Sequence, residues 1–149
     1  MRNWPLTADY PPLWTLGFAI AIWIAGRILP SGADLLVLVG WLMVLAALAL
    51  MLWAVGHFRR AQTTVNPHGQ PSALVTGGPF RFSRNPIYLG DALLLAGLCL
   101  ALRALPALIL IPLFVRIVNR RFIAPEEARL AAAFPRDYPD YARRTRRWL

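Results

Sequence analysis

Long uncharged runs alternate with short arginine-bearing breaks along this chain, and the spacing of the breaks predicts an all-α integral membrane protein. Residues 35–56 carry no charge. At about 1.5 Å of rise per residue, that run reaches about 33 Å, enough for a hydrocarbon core of about 30 Å. Residues 10–26 form another uncharged run, holding Trp14 and Trp23, and Arg27 can carry its head to the interface along its own stem. This run is too long for a secretory h-region and lacks the flanks of one, with cleavage near Ser31-Gly32-Ala33 as the alternative.

The later apolar part is divided. Residues 92–102 and 104–115 are uncharged and separated by Arg103, and each is too short to span alone. Adding 87–90 and 117–118 gives two segments joined by a turn at Arg103-Ala104-Leu105-Pro106, where proline fixes φ and removes a donor. A single bent or re-entrant segment is the other reading. Taken as a hairpin, the chain is one membrane domain with about four transmembrane helices. Residues 1–56 hold two spans, 57–86 a cytoplasmic connector, 87–118 the hairpin and 119–149 an amphipathic cytoplasmic tail.

Composition agrees: 58% hydrophobic residues and a mean hydropathy of +0.50 are too apolar for an ordinary soluble domain. All 16 basic residues are arginine. Apart from Arg27 and Arg103 they fall at Arg2, in the connector (Arg59, Arg60, Arg81, Arg84) and from Arg116 onward, which predicts cytoplasmic amino and carboxyl termini. The net charge of +9 therefore has a topological explanation. Nucleic-acid binding would need a soluble face with motif structure, and none is visible. Arg143-Arg144 and Arg146-Arg147, followed by Trp148, suit a tail lying on anionic headgroups. The Ala-, Leu- and Arg-rich composition without Lys points to a bacterial source, hence an inner membrane.

Other chemistry is excluded by what is missing. Cys99 is the single cysteine, and His57 and His68 have no Cys pair to complete a metal site. There is no Gly-x-Ser-x-Gly and no phosphate-cradling glycine loop. Within the connector, Asn66-Pro67-His68-Gly69-Gln70-Pro71 and Gly77-Gly78-Pro79 interrupt any helix between His57 and Arg84. Beyond the hairpin, Arg116 to Arg121 is expected to return the chain to water, and Ala124-Pro125-Glu126-Glu127 reads as a helix start, with proline first and acids on the dipole. Pro135 stops that helix, and another is expected over 139–147, with Tyr138 and Tyr141 on one side.

The segment Gly78-Pro79-Phe80-Arg81-Phe82-Ser83-Arg84-Asn85-Pro86-Ile87-Tyr88-Leu89-Gly90, followed by Glu126-Glu127-Ala128-Arg129-Leu130 and then 134–141, resembles the isoprenylcysteine carboxyl methyltransferase and phospholipid N-methyltransferase superfamily. The resemblance covers roughly residues 60 to 149. It implies an integral membrane enzyme using S-adenosylmethionine. It also implies a cofactor pocket drawing on Gly78, Pro86, Tyr88, Glu126 and Glu127, with Tyr138, Tyr141 and Arg144 in a tail that closes it. Arg84, Asn85 and Glu127 become the catalytic candidates. Members acting on prenylated cysteine commonly have histidine where Asn85 stands, so a role needing an ionisable imidazole is in doubt.

Chemistry read from the residues agrees. S-adenosylmethionine presents a carboxylate, an ammonium, a ribose diol and a sulfonium; Arg84 and Asn85 supply donors, Glu126 and Glu127 acceptors. Tyr88, Tyr138 and Tyr141 offer rings for adenine or the cationic sulfonium. Methyl transfer is a direct displacement that depends on alignment and needs no metal. Plainer roles stand beside these: Glu126-Glu127 as dipole-complementing acids, Arg84 as an inside-positive anchor, Tyr88 as an interfacial aromatic. Asp91 is a substrate-side candidate or a first-turn acid. The expected acceptor is a lipophilic small molecule or lipid, with phospholipid amines, lipophilic thiols and isoprenoid acids all open. An NADPH-dependent reductase of the sterol-reductase-like type and a non-catalytic membrane scaffold are the competing functions.

Overall fold

Proline opens the first helix of the structure, a computed structural model that describes residues 10–61 and 72–149. Arg2 and the connector residues 62–71, His68 among them, lie outside the described residues. Helix α1 runs Pro11–Ile28, its prolines at positions whose amides lack helical partners in any case, after Tyr10 in an extended conformation. Helix α2 is Asp34–Arg60, 27 residues or about 40 Å. It runs a turn past the expected break at Gly56. One interior glycine costs only about 1 kcal/mol, while His57 Nδ1 bonds the Trp53 carbonyl at 3.0 Å and the Phe58 ring meets Phe80 edge-on at 5.0 Å. Arg59 and Arg60 also suit the carboxyl-terminal end of the helix dipole.

A 3₁₀ turn over Gly78–Arg81 leads to helix α3, Pro86–Ala101. Helices α2 and α3 meet backbone to backbone. A Cβ on Gly40 would fall 2.3 Å from the Ala101 nitrogen and 2.6 Å from the Gly97 oxygen, and one on Gly97 would fall 2.9 Å from the Gly40 oxygen. The buried α2 residues Gly40, Val44, Ala47 and Ala54 form the matching stripe. Small residues let helix axes approach, and close contact holds helices together where lipid tails offer no hydrophobic drive.

The opposite faces remain uncovered. Leu38, Trp41, Leu45 and Leu52 of α2, and Leu16, Ile20 and Trp23 of α1, are exposed. Both helices are long and apolar enough to cross a membrane, and only 17% of each such window is buried. The core helix of a soluble protein would show the reverse.

The chain reverses after α3. Ala104 N–H bonds the Cys99 carbonyl at 2.7 Å and Arg103 N–H bonds that of Leu100 at 3.2 Å, with Arg103 at φ 55°. This is a Schellman ending with arginine where glycine is usual. The Arg103 side chain offsets the strain: it donates to the Gly32 carbonyl at 2.8 Å and pairs with Asp34, while Ser31 N–H bonds the Arg103 carbonyl at 2.7 Å. Two separate turns are thereby stitched at one end of the bundle.

The return path corrects one sequence expectation. A 3₁₀ turn (Leu105–Ile109) and helix α4 (Leu110–Val118) pass through a π segment (Asn119–Ile123) directly into helix α5 (Ala124–Ala133). Pro125 is thus not at a helix start: Ile123 before it is already helical at φ −65°, ψ −50°. Its ring would clash with a carbonyl four residues back, and the wider π turn, closed by Ala124 N–H on the Asn119 carbonyl, absorbs the conflict. Helix α6 is Asp137–Arg144. Among the described residues no strand forms beyond an isolated bridge between Ser31 and Ala104.

Gly40→Leu is expected to force α2 from α3 and cost about 1–3 kcal/mol as an overpacked core does, read as a lower Tm in detergent. Gly17→Ala, where an added Cβ meets nothing within 4 Å, is the control and should leave Tm unchanged or raised.

Candidate functional site

The loop before α3 is shaped by what it must pass. Gly78 sits at φ 59°, and a Cβ there would fall 2.2 Å from His57 Nε2. Only glycine fits both conditions. A few residues further on, the chain meets its own carboxyl-terminal tail. Arg84 N–H bonds the Arg146 carbonyl at 2.9 Å and Arg84 Nη1 the Ala142 carbonyl at 3.3 Å. The Arg147 carbonyl accepts from Ser83 Oγ at 3.2 Å and from Asn85 Nδ2 at 3.0 Å. Tyr141 donates its hydroxyl to the Phe80 carbonyl at 2.7 Å, and Trp148 Nε1 donates to Asn119 Oδ1 at 3.1 Å. The tail is a strap over this loop.

One carboxylate pins the arrangement. Glu127 accepts from Arg84 Nη2 at 3.2 Å, from Arg147 Nη2 at 2.5 Å and from Arg147 Nε at 3.2 Å. The Arg84 and Glu127 side chains are only 15% and 14% exposed, so the pair is shielded far better than a surface bridge. Arg84 Nε and the Tyr138 hydroxyl are buried here without a hydrogen-bond partner.

Glu126 faces the other way and shares a hydrogen bond with the Tyr88 hydroxyl. Burial raises its pKa to about 7, against the lowering influence of Arg129, and neighbouring Glu127 adds to the rise. Burial likewise pushes the Tyr138 and Tyr141 phenols above their ordinary value. The Tyr88 ring stacks on Phe122 of the π segment, centroids 6.4 Å apart. The amino end of α3 and the beginning of α5 therefore meet at Tyr88.

Between them lies a cavity of about 620 Å³, within the range of small-molecule sites. Arg84, Asn85, Pro86, Tyr88 and Glu126 line it, with Asp91 deeper on α3, Thr15 on α1 and Phe58 on α2. Of the sequence-predicted residues, Glu127 supports Arg84 from behind, and Tyr141 is occupied with the loop carbonyl. Tyr138 stacks edge-on with Tyr141 beside the Glu127 network. Gly78 packs on His57, and Arg144 is exposed with Nε on the Asp140 carbonyl. None of these five is among the lining residues. Thr15 and the α1 wall were not anticipated; a lone threonine in an apolar run was the only sequence signal.

A family model described as phospholipid methyltransferase matches residues 35–137, well over half of the chain. The match takes in α2 to α5, including Arg84, Tyr88, Asp91 and the glutamate pair, and leaves out α1 and residues 138–149. No curated protein and no solved structure matches the chain.

Because the folded pKa of Glu126 lies above its unfolded value, the folded state binds the extra proton. Stability from this group is full below the ordinary carboxyl range and is lost as pH rises toward about 7. The Tm measured from pH 5 to 8 should therefore fall more steeply for the natural protein than for Glu126→Gln.

Proposed function

The chain belongs to the phospholipid methyltransferase family, and from that premise we propose that it moves a methyl group from S-adenosylmethionine to a lipophilic small molecule or lipid at the membrane. The observation that carries the reading is the meeting of the Arg84–Tyr88 stretch with Glu126 around one cavity. The donor set suits the cofactor. Arg84 Nε, buried without a partner, is a donor for its carboxylate, and the Glu126 carboxyl is an acceptor for its ammonium or ribose hydroxyls. The Tyr88 ring, held by Phe122, is a face for adenine or a cation.

When bound, the cofactor supplies an electrophilic methyl group on a sulfonium. The protein supplies alignment. Glu127 holds the Arg84 guanidinium from the far side, so its free edge stays fixed, and the Tyr88–Glu126 hydrogen bond fixes the opposing wall. Asn85 acts as a positioning residue here, since its amide is engaged with the Arg147 carbonyl. Apolar walls from α1 and α2 exclude water and admit an acyl or alkyl chain.

In our reading the bundle crosses a bacterial inner membrane four times, α3 and α4 forming a short hairpin, and the chain begins and ends in the cytoplasm. Helix α3 alone has 16 residues, about 24 Å, so the hairpin draws the cavity into the bilayer. Arg59, Arg60, Arg81 and Arg84 gather at the cavity end, and Arg27 and Arg103 sit at the other, which supports that orientation. In a Cys99→Ala background, Ser31→Cys should be labelled from the side opposite to Leu149→Cys; labelling of both from one side would refute it.

Labelled S-adenosylmethionine should bind saturably to the detergent-purified protein and NADPH should not. Arg84→Ala and Glu126→Ala are each expected to weaken binding at least about tenfold, as loss of a hydrogen bond to a charged group does. Saturable NADPH binding without S-adenosylmethionine binding would overturn the assignment.

A further inference from the structure

Asp91 is a carboxyl residue only 6% exposed that lines the cavity. It sits three residues after Tyr88 on α3, so it lies on the same helix face about 4.5 Å further from the Arg84 mouth. The same cavity is lined by Thr15, Leu16 and Ala19 of α1 and by Tyr88 and Leu94 of α3. Thr15 Oγ1 lies near enough to interact with its carboxyl. That hydroxyl has one proton, and it is also within 3.3 Å of the Pro11 carbonyl, to which it donates. A carboxylate has about four acceptor sites. With the Thr15 proton committed to Pro11, a donor-bearing ligand in the cavity is the group that would offset the cost of burying this carboxyl in its wall.

The charge balance points the same way. Of the described residues lining the cavity, Arg84, Asp91 and Glu126 are the charged ones, and Arg84 already answers to Glu127. A ligand placing a second carboxylate against Asp91 would meet like charge at short range with little water to screen it. Thr15 lies in α1, outside the matched residues 35–137.

We infer that Asp91 is the acceptor-selecting residue, holding through its carboxylate a methyl acceptor whose nucleophile carries a proton, such as an amine or an alcohol, and rejecting carboxylic acids. As the new bond to methyl forms, the methyl–sulfur bond breaks, S-adenosylhomocysteine leaves, and the proton stays on the product ammonium or passes from an alcohol to Asp91. This rests on the methyl-transfer reading for its consequence, though the recognition itself is independent of the cofactor. Arg84, Tyr88 and Glu126 then serve the donor end, and Asp91 with Thr15 serves the acceptor end.

The test uses the full-length protein in detergent with an alkyl amine, an alkyl alcohol and an alkyl carboxylic acid of one chain length. Without cofactor, the amine is expected to raise Tm in the natural protein and not in Asp91→Asn, and the acid not to raise it in the natural protein. With labelled S-adenosylmethionine, Asp91→Asn should keep cofactor affinity within about twofold. It should lower kcat/KM for the amine at least about tenfold, mostly through KM, as removal of a charged hydrogen-bond partner does. Asparagine is isosteric and neutral, so the variant should fold.

The inference is overturned if the amine response is the same in both proteins or absent from the natural one. It is equally overturned if the acid is the preferred acceptor, or if Asp91→Asn weakens S-adenosylmethionine as much as Glu126→Ala, which would put Asp91 at the donor end. Absence of cofactor binding together with an intact, Asp91-dependent amine response would sink the methyl-transfer reading while leaving the recognition standing.

Discussion

Two guanidinium groups converge on the Glu127 carboxylate, one from the loop before α3 and one from the end of the chain. Everything around the cavity depends on that convergence. Arg84 can face the cavity because its other edge is neutralised from behind, and the tail can lie across residues 83–85 because Arg147 is held by both side chain and backbone. Removing Glu127 would leave two cations close together in partly buried surroundings, which costs more than the pair itself contributes. The residue thus acts through Arg84, which is why a carboxylate outside the cavity belongs to the site.

The seam between α2 and α3 answers a different constraint. In water, a helix as apolar as α2 would be buried by larger side chains; here its large residues face outward and its small ones inward. Lipid tails solvate leucine as well as another helix does, so contact between helices must come from close approach. Gly40 and Gly97 provide it at one end, and the Arg103 turn fastens the same end to the loop after α1. Packing there is tight, while the opposite end opens into the cavity.

Much of this was legible in the sequence. The uncharged run 35–56 predicted a helix that the structure contains, and the resemblance of the Arg84–Gly90 stretch and the glutamate pair implied one pocket with Tyr88 near Glu127; the structure brings Tyr88 to Glu126 instead and sets Glu127 behind Arg84. What failed was local reading of proline. Ala124-Pro125-Glu126-Glu127 has every mark of a helix start, but the chain arrives already helical and accommodates Pro125 by widening the turn before it. The two acids still fall in the first turn of α5, but their side chains answer to Tyr88 and to the two arginines as well. Nor could spacing reveal that the Asn85 amide serves the tail, or that Thr15 of α1 would reach Asp91, since both partnerships join residues far apart in the chain.

The widened turn at Asn119–Ile123 has an evolutionary consequence. A π segment of this kind is an α-helix that has taken in one extra residue without altering the phase of the turns after it. Loss of one residue there would restore regular winding and keep Glu126 toward Tyr88 and Glu127 toward the arginines. The same loss just before Glu126 would rotate both acids by about 100°, putting Glu127 where Glu126 stands and leaving the arginines without their carboxylate. Length variation along this stretch should therefore be tolerated ahead of Ala124 and selected against after it.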